Sequence, residues 1–165
     1  SGAAGELGIA SAKQSKDQAV DIATGLGRWE MDLGMVQDAR KRMAKEKTVL
    51  QDISGGDPHK IGFKELVRAV KEKDPLALKI VEEGGMALGK KVAFLANLLN
   101  PEIVVIGGGV EDCGAPFLDA VKSGVKEWAV EESSNRVSII PSAFGENAVA
   151  LGAVGIVARE IFAQV

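Results

Sequence analysis

Residues 99–110 have the sequence Leu-Asn-Pro-Glu-Ile-Val-Val-Ile-Gly-Gly-Gly-Val. Pro101 ends a helical pattern, and the β-branched run Ile103–Ile106 is typical of a strand covered on both faces. Three glycines then let the main chain turn sharply and approach a flat ligand closely. The order predicts a ligand-binding turn at the carboxyl end of a buried strand. A plain strand-to-loop turn explains the triplet equally well, and the dinucleotide fingerprint Gly-x-Gly-x-x-Gly fails at Asp112.

Three segments of the chain, including this one, resemble motifs of one protein family and occur in the same order as in that family. Residues 98–110 resemble the late strand-and-loop motif of the ROK family, which joins bacterial sugar repressors, uncharacterised reading frames and sugar kinases. The opening Gly-Ala-Ala-Gly-Glu-Leu-Gly of residues 2–8 resembles that family's sugar-site segment, Gly-x-x-Gly-Glu-x-Gly. Residues 145–153, Gly-Glu-Asn-Ala-Val-Ala-Leu-Gly-Ala, resemble the start of its last helix. The resemblance therefore runs from one end of the chain to the other.

This resemblance implies a fold and a position within a larger protein. It implies a helix-rich α/β chain, one ribonuclease-H-like lobe of the actin, heat-shock-protein and sugar-kinase fold. Family members are about twice as long and carry their phosphate loop, Asp-x-Gly-Gly-Thr, and their catalytic aspartate in an amino-terminal half. Neither occurs here, so we expect residues 1–165 to be a single domain, the carboxy-terminal lobe, as a piece of a longer chain or half of a split protein.

The resemblance also implies which residues bind ligands. Glu6 matches the family glutamate that contacts sugar hydroxyls, and Glu30 matches a second one; a carboxylate can accept two vicinal hydroxyls at once. The alternatives are a solvated glutamate at position 6 and a helix-start glutamate at position 30. Gly107, Gly108 and Gly109 match the adenosine motif of the kinases. ATP and magnesium would serve a full-length kinase, but we expect no catalytic residue and no cofactor in this chain alone.

We expect no zinc, although the family usually holds a structural zinc ion. Ile9 replaces the family histidine, and the chain has no cysteine before Cys113. Tetrahedral zinc needs four nitrogen or sulfur ligands, which the single His59 and Cys113 cannot supply. His59 lies in a Gly/Asp/Pro loop and is expected to be exposed. Cys113 is expected to be inert near a helix start, unless the positive end of that helix lowers its pKa.

Composition narrows the class of protein. The 165 residues, 46% of them hydrophobic, suffice for one domain with a sizeable core. A net charge of −3, from 20 basic and 23 acidic residues, argues against direct nucleic-acid contact by this chain. One cysteine, no signal-like start and no apolar run of about 18 residues favour a cytoplasmic location and no membrane contact.

Hydrophobic periodicity predicts five helices and two strands. A long helix is expected over Arg28–Lys47, with an apolar stripe of Trp29, Leu33, Val36, Ala39 and Met43. Asp74 should cap the helix predicted over residues 76–99, with Pro75 in its first turn. The complete set of predicted elements is helices 28–47, 63–73, 76–99, 117–130 and 146–163, strands 103–106 and 137–140, and a loop at 54–58.

Glycines inside two of these helices allow two interpretations. Gly84, Gly85 and Gly89 each cost about 1 kcal/mol relative to alanine in a helix. They indicate either close packing against another helix or a break near Gly84. The small face of the last helix, which includes Gly152 and Gly155, would let another backbone lie close by.

Three functions stay open on the sequence alone. The first two are the sugar-binding lobe of a ROK-type sugar kinase and that of a sugar-sensing transcriptional regulator, neither of them active as this lobe alone. The third is an assembly module that has lost its ligand. The resemblance to the ROK family implies a small-molecule sugar and a homo-oligomer as partners.

Overall fold

A computed structural model of the chain describes residues 33–162. The described part contains seven α-helices, two β-strands and three short 3-10 turns. The helices are α1 (Met35–Arg42), α2 (Val49–Ser54), α3 (Phe63–Lys71), α4 (Pro75–Leu99), α5 (Ala115–Trp128), α6 (Glu131–Arg136) and α7 (Ala148–Phe162). The strands are β1 (Ile103–Ile106) and β2 (Ser138–Pro141), and the turns are Pro58–Lys60, Val110–Cys113 and Gly145–Asn147.

The two strands form a parallel pair, as the alternation of helices and strands predicts. Ile103 lies opposite Ser138, and Ile106 lies opposite Pro141. The connection between them runs through α5 and α6. Because the strands are parallel, both carboxyl ends meet at one edge, where the glycine triplet follows β1.

The expectation that β1 is covered on both faces is wrong for the described residues. Ile106 is buried, whereas Ile103 and Val105 are 58% and 59% exposed. Apolar side chains on both faces of a strand predict two covering layers. The described residues supply a cover for one face only.

The core lies mainly between α4 and α5. Helix α4 is one continuous helix of 25 residues, so the interpretation of its glycines as close packing is confirmed and the break is not. A Cβ placed on Gly85 would stand 2.6 Å from the Phe117 carbonyl oxygen, and one on Gly89 would meet the Val121 carbonyl oxygen. Because glycine has no side chain, the backbones of α4 and α5 lie closer together than a larger residue would allow.

The predicted start of α4 is also confirmed, with more contacts than a cap requires. Asp74 Oδ1 accepts hydrogen bonds from Ala77 N–H at 2.8 Å and from Thr48 Oγ1 at 2.9 Å. Asp74 Oδ2 accepts a third from Val49 N–H at 2.8 Å. The 3% exposed Asp74 thus joins the starts of α2 and α4, and its buried charge is satisfied by three donors.

Residues 28–32 of the helix predicted over Arg28–Lys47, with Trp29, lie outside the described residues, and the described part of that prediction is shorter than expected. Within the described residues it is α1, Met35–Arg42, because Leu33 and Gly34 adopt left-handed backbone angles with φ of 56° and 78°. Its buried residues are Met35 and Ala39, followed by Met43 beyond its end. Of the predicted apolar stripe, Ala39 and Met43 are therefore buried, whereas Leu33 and Val36 are half-buried. Met35, which was not part of the predicted stripe, is buried as well.

Helix α7 confirms the predicted last helix but not its packing. Its described side chains are exposed except for the half-buried Ala158, and Leu151, Val154 and Phe162 are 50%, 65% and 75% exposed. A Cβ on Gly152 or Gly155 would meet nothing within 4 Å. The predicted close approach of another backbone is therefore wrong among the described residues. A helix that is apolar all round is normally buried.

None of the described helices is long and apolar enough to cross a membrane.

Candidate functional site

The glycine triplet forms the sharp turn that the sequence predicts at the end of β1. Gly108 and Gly109 have φ of 93° and 98°, angles that side chains other than glycine's rarely adopt. A Cβ at either position would meet nothing within 4 Å, so the outer side of the turn is open. The main chain here can be approached closely by a flat group.

The end of β2 lies directly beside this turn. Ser142 N–H donates to the Ile106 carbonyl oxygen at 2.6 Å, which continues the sheet pairing past Pro141. A Cβ on Gly107 would stand 3.0 Å from Ser142 Cβ. Ser142 Oγ in turn accepts a hydrogen bond from Phe144 N–H at 3.2 Å. Gly107 is therefore needed for close contact between the two strand ends.

Glu111 is a residue of this site that the sequence analysis missed. Its Oε2 accepts a 2.7 Å hydrogen bond from Gly109 N–H. Its Oε1 is buried, has no hydrogen-bond partner, and lies 3.9 Å from the position of a Cβ on Gly107. No local sequence rule singles it out, because the side chains that usually bond nearby backbone N–H groups are the shorter ones of Ser, Thr, Asn and Asp.

Cys113 follows in the same 3-10 turn, and its surroundings favour the inert thiol over one with a lowered pKa. Its side chain is 2% exposed. Burial, together with the negative charges of Asp112 and Glu111, raises the pKa of the Cys113 thiol to about 12. The thiolate needed for nucleophilic or metal chemistry is therefore suppressed.

The other residues singled out by the sequence are not part of the turn. Glu6 and Glu30 lie outside the described residues. His59 is exposed, as predicted, and its N–H donates to Asp57 Oδ1 at 2.9 Å. Within residues 33–162, no three His, Cys, Asp or Glu side chains come together in a way that could hold a metal ion.

A second depression, of about 230 Å3, lies between the start of α1 and the middle of α4. Its carboxylates, Asp38 and Glu83, pair with Arg42 at 3.2 and 2.9 Å. Burial opposes the Arg42 charge, but hydrogen bonds to Asp38 and Glu46 and the Glu83 charge raise its pKa. These ion pairs engage both carboxylates, so the turn after β1 is the better candidate site.

A family profile and the most similar known proteins assign the chain to the same family. A ROK family profile matches residues 36–160. The Thermotoga maritima glucokinase is 31% identical over 106 residues, which are 64% of this chain and 33% of that enzyme. The Escherichia coli K12 transcriptional dual regulator NagC is 26% identical over 133 residues, or 78% of this chain and 32% of the regulator. The chain thus spans about a third of the length of these two relatives.

Solved structures agree in fold. A ROK family glucokinase from Streptomyces griseus, in complex with glucose and AMPPNP, matches with a TM-score of 0.66 and 25% identity, over 74% of this chain and 40% of that one. A ROK family transcriptional regulator, homologous to the E. coli MLC protein, matches with a TM-score of 0.57 and 21% identity, over 64% and 26% of the two chains. The helix-rich α/β, actin-like sugar-kinase fold predicted from the sequence is confirmed. The chain belongs to the ROK family.

Proposed function

We propose that this chain is the carboxy-terminal, sugar-binding lobe of a ROK sugar kinase or sugar-sensing transcriptional regulator. The observation that carries the proposal is the open glycine turn at the shared carboxyl edge of β1 and β2. Ligands of α/β sheets bind at that edge. The family relatives include both glucokinases and an N-acetylglucosamine repressor, so a sugar is the ligand named for both classes.

Sugar recognition in this proposal rests on Glu6 and Glu30. Each carboxylate would accept hydrogen bonds from hexose hydroxyls, which are strong because the acceptor is charged. Both residues were assigned from family motifs in the sequence. Isothermal titration of glucose, N-acetylglucosamine and N-acetylmannosamine into the full-length protein tests this part, and the absence of heat from all three would contradict it.

A nucleotide would contact the other part of the site. The bare backbone of Gly108 and Gly109 fits the flat face of an adenosine group, because no described side chain stands over it. When bound, ATP with magnesium would supply the phosphoryl group. We place the metal ligands and the catalytic base in the part of the relatives that this chain does not cover, so this chain would orient the adenosine and do no chemistry alone.

An assay of the isolated chain for phosphoryl transfer tests the proposal that it does no chemistry alone. A coupled assay should detect no sugar-dependent ATP turnover by residues 1–165, whereas a full-length kinase would show it. Turnover by the purified chain would contradict the half-site proposal. Turnover by the full-length protein separates a kinase from a regulator, for which sugar would change DNA binding through another segment.

A ligand-free assembly module is the second candidate, and one observation favours it. Helix α7 exposes apolar residues on all sides, and large exposed apolar surfaces mark protein interfaces. In this account the protein is a cytoplasmic homo-oligomer that binds no sugar. Sugar titration discriminates the two candidates, since only the first predicts a saturable heat signal.

A further inference from the structure

Glu111 holds its carboxylate in an unusual state beside the glycine turn. Oε2 is fixed by Gly109 N–H at 2.7 Å, so the side chain is anchored. Oε1 is buried without a partner. A carboxylate oxygen removed from water strongly favours a hydrogen-bond donor, and the described residues provide none within bonding distance.

The surroundings of Oε1 restrict what that donor can be. Gly107 presents no side chain on this side, and Ser142 is the side chain nearest to the position of a Cβ on Gly107. Ser142 Oγ is held by a 3.2 Å hydrogen bond from Phe144 N–H, and its side chain turns about a single bond. Because Oε1 is buried, only a small donor, such as a hydroxyl group, fits beside it.

Charge further limits the ligand. Glu111 is followed by the exposed Asp112, so two carboxylates adjoin the turn. Like charges repel, and the repulsion disfavours a phosphate group at this position. The part of the ligand that contacts the turn should therefore be neutral and rich in hydroxyl groups.

We propose that Glu111 and the glycine turn bind a vicinal diol, with one hydroxyl donating to Glu111 Oε1. The inference rests on the proposed ligand site at this edge of the sheet and adds its specificity-determining residue. Two ligands carry this chemistry: the ribose of a nucleoside and a free hexose. Phosphate groups of a nucleotide would point away from Glu111.

The test compares adenosine, 2′,3′-dideoxyadenosine and glucose by isothermal titration into the full-length protein and its Glu111→Gln variant. Glutamine can keep the Gly109 hydrogen bond through its carbonyl oxygen, while its NH2 group replaces Oε1. Glu127→Gln is the matched control, because it makes the same chemical change at an exposed side chain on α5, away from the turn. Thermal melting of each variant verifies that the fold is retained, and Glu111→Asp is a second variant if Glu111→Gln does not fold.

The proposal expects adenosine to bind more tightly than the dideoxy analogue by about tenfold or more, the range for a hydrogen bond to a charged acceptor. Glu111→Gln should abolish that preference, and Glu127→Gln should keep it. If the diol is that of a hexose instead, Glu111→Gln should weaken glucose binding by the same factor. The preference for adenosine over 2′,3′-dideoxyadenosine should then stay unchanged.

An unchanged adenosine preference together with unchanged glucose affinity in Glu111→Gln would overturn this inference while leaving the proposed function intact. No binding of any sugar or nucleoside by the wild-type protein would overturn both.

Discussion

Gly89 and Gly124 bring the backbones of α4 and α5 into direct contact. A Cβ on Gly124 would stand 3.0 Å from Gly89 Cα, and one on Gly89 would stand 2.8 Å from Gly124 Cα. Neither distance leaves space for a methyl group, and the obstructing atoms are backbone. The pair therefore sets how closely the two main core helices pack, and with it the position of β1 at the end of α4.

Substitution of Gly89 by alanine should destabilise the protein despite the better helix propensity of alanine. The added methyl group must push α5 away, and such overpacking costs about 1–3 kcal/mol. The free energy of unfolding in urea measures the effect. Gly152→Ala is the matched control, because nothing lies within 4 Å of its Cβ position on the exposed α7. Equal stabilities of the two variants would contradict the close-packing account.

Asp74→Ala should be among the more destabilising changes in the described part of the chain. It removes a helix cap and leaves the buried Thr48 hydroxyl and the part-buried Val49 N–H without an acceptor, and each lost partner costs about 1–3 kcal/mol. Chemical denaturation is the measurement. Asp119→Ala, which breaks a 3.5 Å ion pair at a 70% exposed side chain, should change stability by less than about 1 kcal/mol. A small effect at Asp74 would refute its role in joining α2 and α4.

Cys113 should resist alkylation in the native protein. Because its pKa is raised to about 12, iodoacetamide at pH 8.5 should label it only after unfolding. Mass spectrometry with and without urea provides the comparison. Labelling of the native protein at the rate of the unfolded chain would show that the thiol is accessible or ionised.

The same raised pKa makes stability depend on alkaline pH. The thiol ordinarily ionises near 9.0, and folding raises its pKa to about 12. Its contribution to stability is therefore complete below pH 9 and is lost as the pH rises through 12, because the unfolded state releases the proton first. Cys113→Ala should flatten this part of the stability profile. An identical alkaline slope in the variant would assign the loss to other groups.

Gly109→Ala should damage the turn itself. A side chain at φ of 98° is strained by about 1–3 kcal/mol, although the space around it is free. The expected result is lower stability and weaker adenosine binding together. Gly55→Asn is the control, because asparagine tolerates the left-handed φ of 63° found at that helix end. Unaltered adenosine affinity in Gly109→Ala would show that the turn takes no part in binding adenosine.

Local signals in the sequence predicted much of this fold. Pro75 after Asp74 marked the start of α4, and the run Ile103–Ile106 marked β1, because each depends on residues adjacent in the chain. From the sequence alone, the glycines of α4 allowed either close packing against another helix or a break in α4. The answer depends on Gly124, which lies 35 residues after Gly89 in the sequence. Tertiary contacts of this kind have no local signature.

The errors have equally specific causes. Helical periodicity continued across Leu33 and Gly34, so it did not reveal the left-handed residues that precede α1. The exposure of Ile103 and Val105 depends on what covers the sheet, which strand composition alone does not report. Glu111 was missed because a single glutamate after a glycine run is usually a solvated residue. Glu6 and Glu30 stay predictions from the sequence.

Titration of a sugar into the full-length protein and its Glu6→Gln variant tests the central claim most directly. We expect one of glucose, N-acetylglucosamine and N-acetylmannosamine to bind, and Glu6→Gln to weaken that binding by about 1.5–3 kcal/mol. Glu127→Gln, at an exposed position of α5, is the control and should leave the dissociation constant unchanged. An equal dissociation constant in wild-type protein and Glu6→Gln, or no binding of any of the three sugars, would contradict the account.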